Sequence, residues 1–324
     1  MSTLRRSSSS YGGFADGIII RGMPIATLYP GNIYWVDSAG GGGSKGTFNH
    51  PCLTIAAAHA LVTTDNGDMI LVKPGHAETI TATVDFSKSG FAIIGLGFGD
   101  NRPIITMSAT AADDGWDFEG DDIVVYNIKF KDGDGGATGA LPCINCSGDN
   151  MHIEGCYFYV GADMSTCVTH DTTGKTGFHF IGNTVFGYEA GPDVGVRFEK
   201  AHMNAVIEGN HWLFGKSVGC DTGCIVFVSG NGTTAGNHLI RNEFVAGLAN
   251  SEPFIAQTVI QADSLCCDVR IIGDDATDNL GVSTAASFGF INCFVTQQGA
   301  GVPASAVSLG AASGCRPWST TPAL

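Results

Sequence analysis

Short runs of alternating apolar and polar residues, each followed by a bend and a second short run, recur down most of the chain. The clearest copy spans Phe178 to Phe186, with a Gly182-Asn183 bend and a second run ending on an aromatic residue. Variants occupy Ile123 to Phe130 (bend at Asn127), Met151 to Phe158 (Gly155-Cys156) and Ala205 to Phe214 (Gly209-Asn210). Two more occupy His238 to Phe244 (Asn242) and Phe288 to Phe294 (Asn292-Cys293). A period of two sends alternate side chains to opposite faces of a strand, so Ala205 and Ile207 face one way and Val206 and Glu208 the other. Glycine and asparagine accept the left-handed backbone that β-branched residues resist, which makes the bends structural in the first place. From Asn127 through Cys156, Asn183 and Asn210 to Asn242 the bends fall 29, 27, 27 and 32 residues apart. Asn292 follows after 50, which fits two shortened coils, with Asp274-Asp275 as the intermediate bend, or a break in the helix. Such lengths suit a coil of three short strands and three turns, and a strand–bend–strand unit repeated in this way is the mark of a solenoid.

Upstream, Ile18-Ile19-Ile20 and Ile33 to Val36 read as strands separated by Pro30-Gly31-Asn32. Thr54 is placed to N-cap a short helix whose Ile55, Ala58, Leu61 and Val62 share one face. A strand at Met69 to Val72, closed by Pro74-Gly75, follows. One helix ahead of a long array of strands is what a solenoid needs to cover its first, otherwise open, coil. The expected fold is therefore all-β, a single-stranded parallel β-helix with an N-terminal capping helix and an extended N-terminal arm. The expected divisions are 1–30 (arm), 31–298 (β-helix) and 299–324 (a tail packed over the last coil or onto a neighbour).

Composition agrees with many strands and tight turns: 46 of 324 residues are glycine and 15% are charged. The net charge of −15, with only 16 Lys plus Arg, leaves no basic stripe for nucleic acid. Eleven cysteines accompany an N-terminus without a leader-like apolar stretch, so reduced, buried thiols of a cytosol-made protein are expected. No run of about 18 apolar residues suggests a membrane span.

The stretch Gly46 to Ile80 resembles the opening of pectate-lyase-like right-handed parallel β-helix proteins, on Gly46, Thr47, Pro51, Thr54, Ile55, Gly67, Asp68, Pro74 and Gly75. Within that superfamily the chain looks most like β-helix virion structural proteins of tailed phages, including the stretch from Tyr29 to Ser38. The resemblance covers roughly residues 30 to 300 and implies a homotrimeric, capsid-associated decoration or head-fibre protein. Its implied partners are the major capsid protein or other virion proteins, and its implied location is the virion, assembled in the host cytoplasm. The arm would be the anchor, with Leu4, Arg5, Arg6, Tyr11 and Phe14 as its candidate contacts. The alternative is a tailspike-like polysaccharide depolymerase or lyase, or a carbohydrate-binding adhesin that recognises a host surface glycan.

Candidate chemistry is sparse. Glycan hydrolysis needs two opposed carboxylates, which Asp113, Asp114, Asp117, Glu119, Asp121 and Asp122 supply, as do Asp132, Asp134, Asp163, Asp171, Glu189 and Asp193. Lys200 and Arg197 are the bases available to a lyase, but no catalytic motif of that family is matched. Asp132 to Gly136 reads as a turn rather than a calcium loop, lacking the later ligands of an EF-hand. Cys143-x-x-Cys146 and Cys220-x-x-x-Cys224 read as core thiols rather than halves of a zinc site, and the glycine run Gly40 to Gly43 lacks a phosphate loop's Lys-Ser/Thr ending. No catalytic residue, metal or cofactor is assigned. Tyr157, Tyr159, Tyr188 and Trp212 are candidates for a glycan-binding stripe, whereas Phe158, Phe186 and Phe244, which close the repeat phrase, are expected in the core.

Overall fold

A computed structural model describes residues 31–40, 45–108, 115–133, 141–161, 164–187, 194–214, 223–228, 235–248, 253–257, 261–273, 279–283 and 288–297, and the strand backbone at 19–20 and 23–24. Three parallel sheets of ten, nine and eight strands run its length, with a fourth sheet of four very short strands. The first sheet begins at Ile33–Val36 and Asp68–Val72 and ends at Phe288–Ile291. The second runs from Ala77–Ile80 to Phe294–Gln297, and the third from Val84–Phe86 to Asn279–Ser283. From Asp68–Val72 onward, consecutive strands along the chain fall in different sheets, and each pairs in parallel with its equivalent one coil away. This is a parallel β-solenoid, as the repeat predicts.

One turn column sets the coil. Asn127, Gly155, Gly182, Gly209, Asn242, Asp268 and Asn292 follow the strands of the first sheet, all at φ between 53° and 67°. The residues that follow them, Ile128, Cys156, Asn183, Asn210, Glu243, Val269 and Cys293, form the next column. The sequence alignment of bends mixed these two columns, because asparagine occurs in both. Asp268, not Asp274-Asp275, is the turn between Asn242 and Asn292, so the 50-residue interval is two coils of 26 and 24 residues. Residues 274–278 lie outside the described residues.

Inward columns stack like on like. Phe130 and Phe158 overlap at 5.1 Å, and Phe198 and Phe227 at 4.9 Å. Asn183 and Asn210 form a ladder through the buried corner. Asn183 Oδ1 accepts from the Cys156 N–H at 2.8 Å, and Asn210 Oδ1 from the Asn183 N–H at 2.8 Å. Each amide group also donates to a carbonyl of the preceding coil, Ile153 or Phe180. A buried polar side chain is tolerable only when so satisfied. All nine described cysteines are free thiols. Burial pushes those of Cys143 and Cys146 well up and that of Cys156 to about 12, as core thiols should be.

The helix spans Ile55–His59, shorter than the apolar spacing implied, and Thr54 Oγ1 accepts from the Ala57 N–H at 3.1 Å. A glutamate at its start, Glu78, accepts from the Ile55 N–H. Lys88 from the next coil donates to the carbonyls of His59, Ala60 and Val62 at the other end, where a cation suits the helix dipole. Ile55 and Ala58 are buried in the main core. Asp68, fully buried, accepts from the backbone N–H groups of Asn32 and Thr63 and from the amides of Asn32 and Asn66, which ties the first coil together.

Candidate functional site

Strand parity decides which side chains the second sheet displays. Phe130, Phe158, Val185, Trp212 and Val245 share one register position and point inward. Their neighbours point outward in two columns. One carries Lys129, Tyr157, Thr184, His211, Phe244 and Arg270, the other Lys131, Tyr159, Phe186, Leu213, Ala246 and Ile272. Tyr157 and Tyr159 lie 6.5 Å apart at 21°, and Tyr159 stacks on Phe186 at 5.6 Å and 9°. The latter is an offset stack, so each ring covers part of the next, and all three remain half-exposed. Lys129 Nζ stands 5.7 Å from the Tyr157 ring centre and 5.1 Å from that of Tyr159, a cation–π pairing. Burial and the neighbouring Tyr159 raise the Tyr157 phenol above its ordinary value, so its hydroxyl can donate at neutral pH.

The strip continues to a cleft of about 650 Å³ lined by His211, Glu243, Phe244, Asp268, Arg270 and Asn292. His211 meets Phe244 edge-on at 5.9 Å. At its base Glu243 is 1% exposed, and burial pushes its carboxyl up to about 8 against the pull of its hydrogen bonds. Its Oε2 accepts from Trp212 Nε1 at 2.6 Å, and its Oε1 from the Asn210 N–H and Nδ2–H groups.

The four aromatic candidates therefore part company. Tyr157 and Tyr159 sit together on the strip. Trp212 does not: it is fully buried, and its indole N–H is spent on Glu243. Parity gives the reason, since Trp212 lies two residues before the inward Phe214. Tyr188 and the anchor candidates Leu4, Arg5, Arg6, Tyr11 and Phe14 lie outside the described residues. Phe186 and Phe244, expected in the core, are outward, because Phe186 falls one position after, and Phe244 one position before, the inward register position that Phe158 holds.

At the third sheet, Asp117 and Asp171, the latter just past the strand Met164–His170, come together across Asn145. Asn145 Nδ2 lies 3.2 Å from Asp117 Oδ1 and 3.2 Å from Asp171 Oδ2, and Asp171 Oδ1 accepts from Thr172 Oγ1. Asp85 and Arg197 share the register column of Asp117 and Asn145, in which Thr169 rather than Asp171 is the member between Asn145 and Arg197. Asp121 and Asp149 form a separate turn ladder bridged by Lys175 at 3.3 and 3.4 Å; the hydrogen bond from the Asp149 backbone N–H, and then Lys175, hold the Asp121 carboxyl below its usual value. Among the described residues no group of three or more His, Cys, Asp or Glu is arranged to hold a metal ion, and no helix is long and apolar enough to cross a membrane. Asp113, Asp114, Asp134, Asp163, Glu189, Asp193, Cys220 and residues 41–44 lie outside the described residues.

No protein-family model matches this sequence, and no curated protein matches it. Among solved structures the chain is similar to a rhamnogalacturonan lyase, at 14% identity and a TM-score of 0.43 over 78% of this chain and 84% of that one. It is also similar to pectate lyase Pel9A, at 17% identity and a TM-score of 0.43 over 90% of this chain and 81% of that one.

Proposed function

We propose that this solenoid is a glycan-binding body, with an extended carbohydrate chain lying along the outer face of the second sheet. The observation that carries the reading is the strip itself: Tyr157, Tyr159 and Phe186 stand between Lys129 and Lys131 at one end and His211 and Arg270 at the other. Five strand steps separate Lys129 from Arg270, about 24 Å at about 4.8 Å per step, room for several sugar rings. Half-exposed aromatic rims give apolar contact to sugar C–H faces, tyrosine hydroxyls give hydrogen bonds, and ammonium and guanidinium groups favour glycans bearing carboxylate or sulfate. In this reading the solenoid is right-handed, the hand that parallel crossovers favour. The Ile55–His59 helix is the cover of its first coil. The setting is a tailed-phage virion, with trimeric association and attachment through the N-terminal segment, and rests on the resemblance of residues 29 to 80.

The test is binding to a panel of acidic and neutral polysaccharides, comparing the wild type with a Tyr159→Ala/Phe186→Ala variant. Retention should weaken about tenfold on at least one acidic glycan, the effect of roughly 1.4 kcal/mol of lost ring contact. Unchanged retention by a folded variant would remove the strip from the function. A depolymerase is the second reading, favoured by Asp117 and Asp171 meeting across Asn145. Release of reducing ends or unsaturated uronate by the wild type but not by Asp171→Asn would support it; no release across the panel would eliminate it.

A further inference from the structure

The first sheet bears a second apolar cluster on its outer face. Val36, Ile70, Val72, Ile93 and Val125 point into the main core, while the alternate residues Trp35, Met69, Leu71, Ala92 and Ile94 gather on the other side. Outward side chains of a single sheet keep part of their surface in water unless something lies over them. Met69 and Leu71 keep none, and Ala92, Trp35 and Ile94 keep 2%, 6% and 8%.

The same columns farther along provide the comparison. The Met69–Ala92 column continues through Val124, His152, His179, Val206 and Leu239. The Leu71–Ile94 column continues through Tyr126, Glu154, Ile181, Glu208 and Arg241. None of these ten is buried, and polar residues enter both columns. The cover is confined to the first three coils.

The described apolar neighbours of the cluster, Ile33, Leu96, Val124 and Tyr126, border it from the same sheet or its immediate continuation. Phe48 meets Trp35 edge-on at 4.9 Å from the edge-strand side. Of the other segments near these coils, residues 41–44 bring only glycine and serine. Residues 109–114 and 134–140 connect the second sheet to the third. The last described strand, Phe294–Gln297, ends several strand steps from these coils, and residues 298–324 follow it in the sequence. Residues 1–30 instead enter at Gly31, two residues before Ile33 at the cluster's border. Between Gly17 and Pro30 they carry Ile18, Ile19, Ile20, Met23, Ile25 and Leu28, with Arg21 as the single charge. Ile19–Ile20 pairs antiparallel with Met23–Pro24, a tight hairpin with Ile20 opposite Met23.

We propose that residues 17–30 dock across the outer face of the first three coils, over Trp35, Met69 and Leu71, as an intramolecular cover. The near-total loss of accessible surface occurs within one chain, which favours this segment over a second copy as the occupant. Any tether to another subunit then falls to residues 1–16.

The test is site-specific photo-cross-linking in the full-length chain, with p-benzoylphenylalanine replacing Tyr126 at the cluster's rim. Most cross-linked peptides should map to residues 17–30, and in a mixture of light and heavy isotope-labelled chains they should join peptides of the same label. Ile20→Asp should lower the yield at least fivefold while the far-UV spectrum of the β-body persists. Cross-links to another segment, cross-links mainly between differently labelled chains, or an unchanged yield in a folded Ile20→Asp variant would each overturn the proposal.

Discussion

Replacing Glu243 with glutamine should make the difference in stability between the two proteins change sign with pH. The carboxyl is 1% exposed, and its value of about 8 lies far above the ordinary 4.5. Because the folded value is raised, the folded chain holds a proton that the unfolded chain releases. The contribution is fully present below about pH 4.5, declines as pH rises, and is lost once pH passes about 8. At about 1.36 kcal/mol per pH unit, the full swing is about 4–5 kcal/mol. Glutamine abolishes this slope but introduces a mismatch. Trp212 Nε1 and the two Asn210 N–H groups all donate to the side chain of residue 243, so either orientation of an amide sets its NH₂ against a donor. A buried polar group left without its partner costs about 1–3 kcal/mol. Glu243→Gln should therefore be the less stable protein at pH 5 and the more stable at pH 9, with the curves crossing between about pH 5 and 7. The measurement is urea unfolding at pH 5, 7 and 9, followed by far-UV circular dichroism. Buried histidines tilt both proteins equally, so the difference isolates residue 243. A difference constant to within about 1 kcal/mol from pH 5 to 9 would refute the protonated carboxyl.

The histidines supply the opposite slope. His202 is buried among His170, His238, Phe178 and Phe198, and burial, then the two neighbouring imidazoles, lower its value to about 2. Its folded value is depressed, so its contribution is present above about pH 6.5 and lost as pH falls. His202→Phe should reduce the stability lost between pH 7 and pH 5 by about 2 kcal/mol, read from the same urea transitions; an unchanged loss would place the acid sensitivity elsewhere. Gly148→Ala should lower the melting temperature by several degrees, because a Cβ there would sit 1.9 Å from the Gly120 carbonyl oxygen of the preceding coil. A melting temperature equal to wild type would mean that the coils can separate at this corner.

The parallel solenoid was legible because its two signals, alternation and a recurring bend, are local. The inward or outward sense of Tyr157, Tyr159 and Trp212 was legible too, by parity against Phe158 and Phe214, had each coil been counted from its own left-handed residue. What misled was chemical degeneracy at the bend. Asparagine serves as a left-handed turn at Asn127, Asn242 and Asn292 and as a buried ladder member at Asn183 and Asn210, for different reasons. A positive φ wants a residue that tolerates it, whereas the ladder wants one acceptor and one donor on the same short side chain. The carboxylate pairing of Asp117 with Asp171 was beyond local reading, since it depends on Asn145 lying one coil from each.

Glu243 shows why long-range partners cannot be inferred residue by residue. The ladder runs in one direction: each asparagine accepts from the main chain of the preceding coil and donates to a carbonyl there. At its last step the Asn210 N–H and one hydrogen of its amide still need an acceptor. Another asparagine would satisfy the backbone N–H through a single oxygen. Here, however, Trp212 brings an indole N–H into the same buried corner, and that donor must be met as well. Two acceptor oxygens on one side chain meet both demands, which is what a carboxyl provides and an amide does not. Trp212 in the core and an acid at residue 243 are thus one feature, separated by 31 positions along the chain and by one step across the sheets. A tryptophan read alone looks like a candidate for sugar stacking, and a glutamate read alone looks like a surface charge. Paired, they close the polar ladder beneath the outward column of His211, Phe244 and Arg270, and hold the base of the cleft without presenting either group to a ligand.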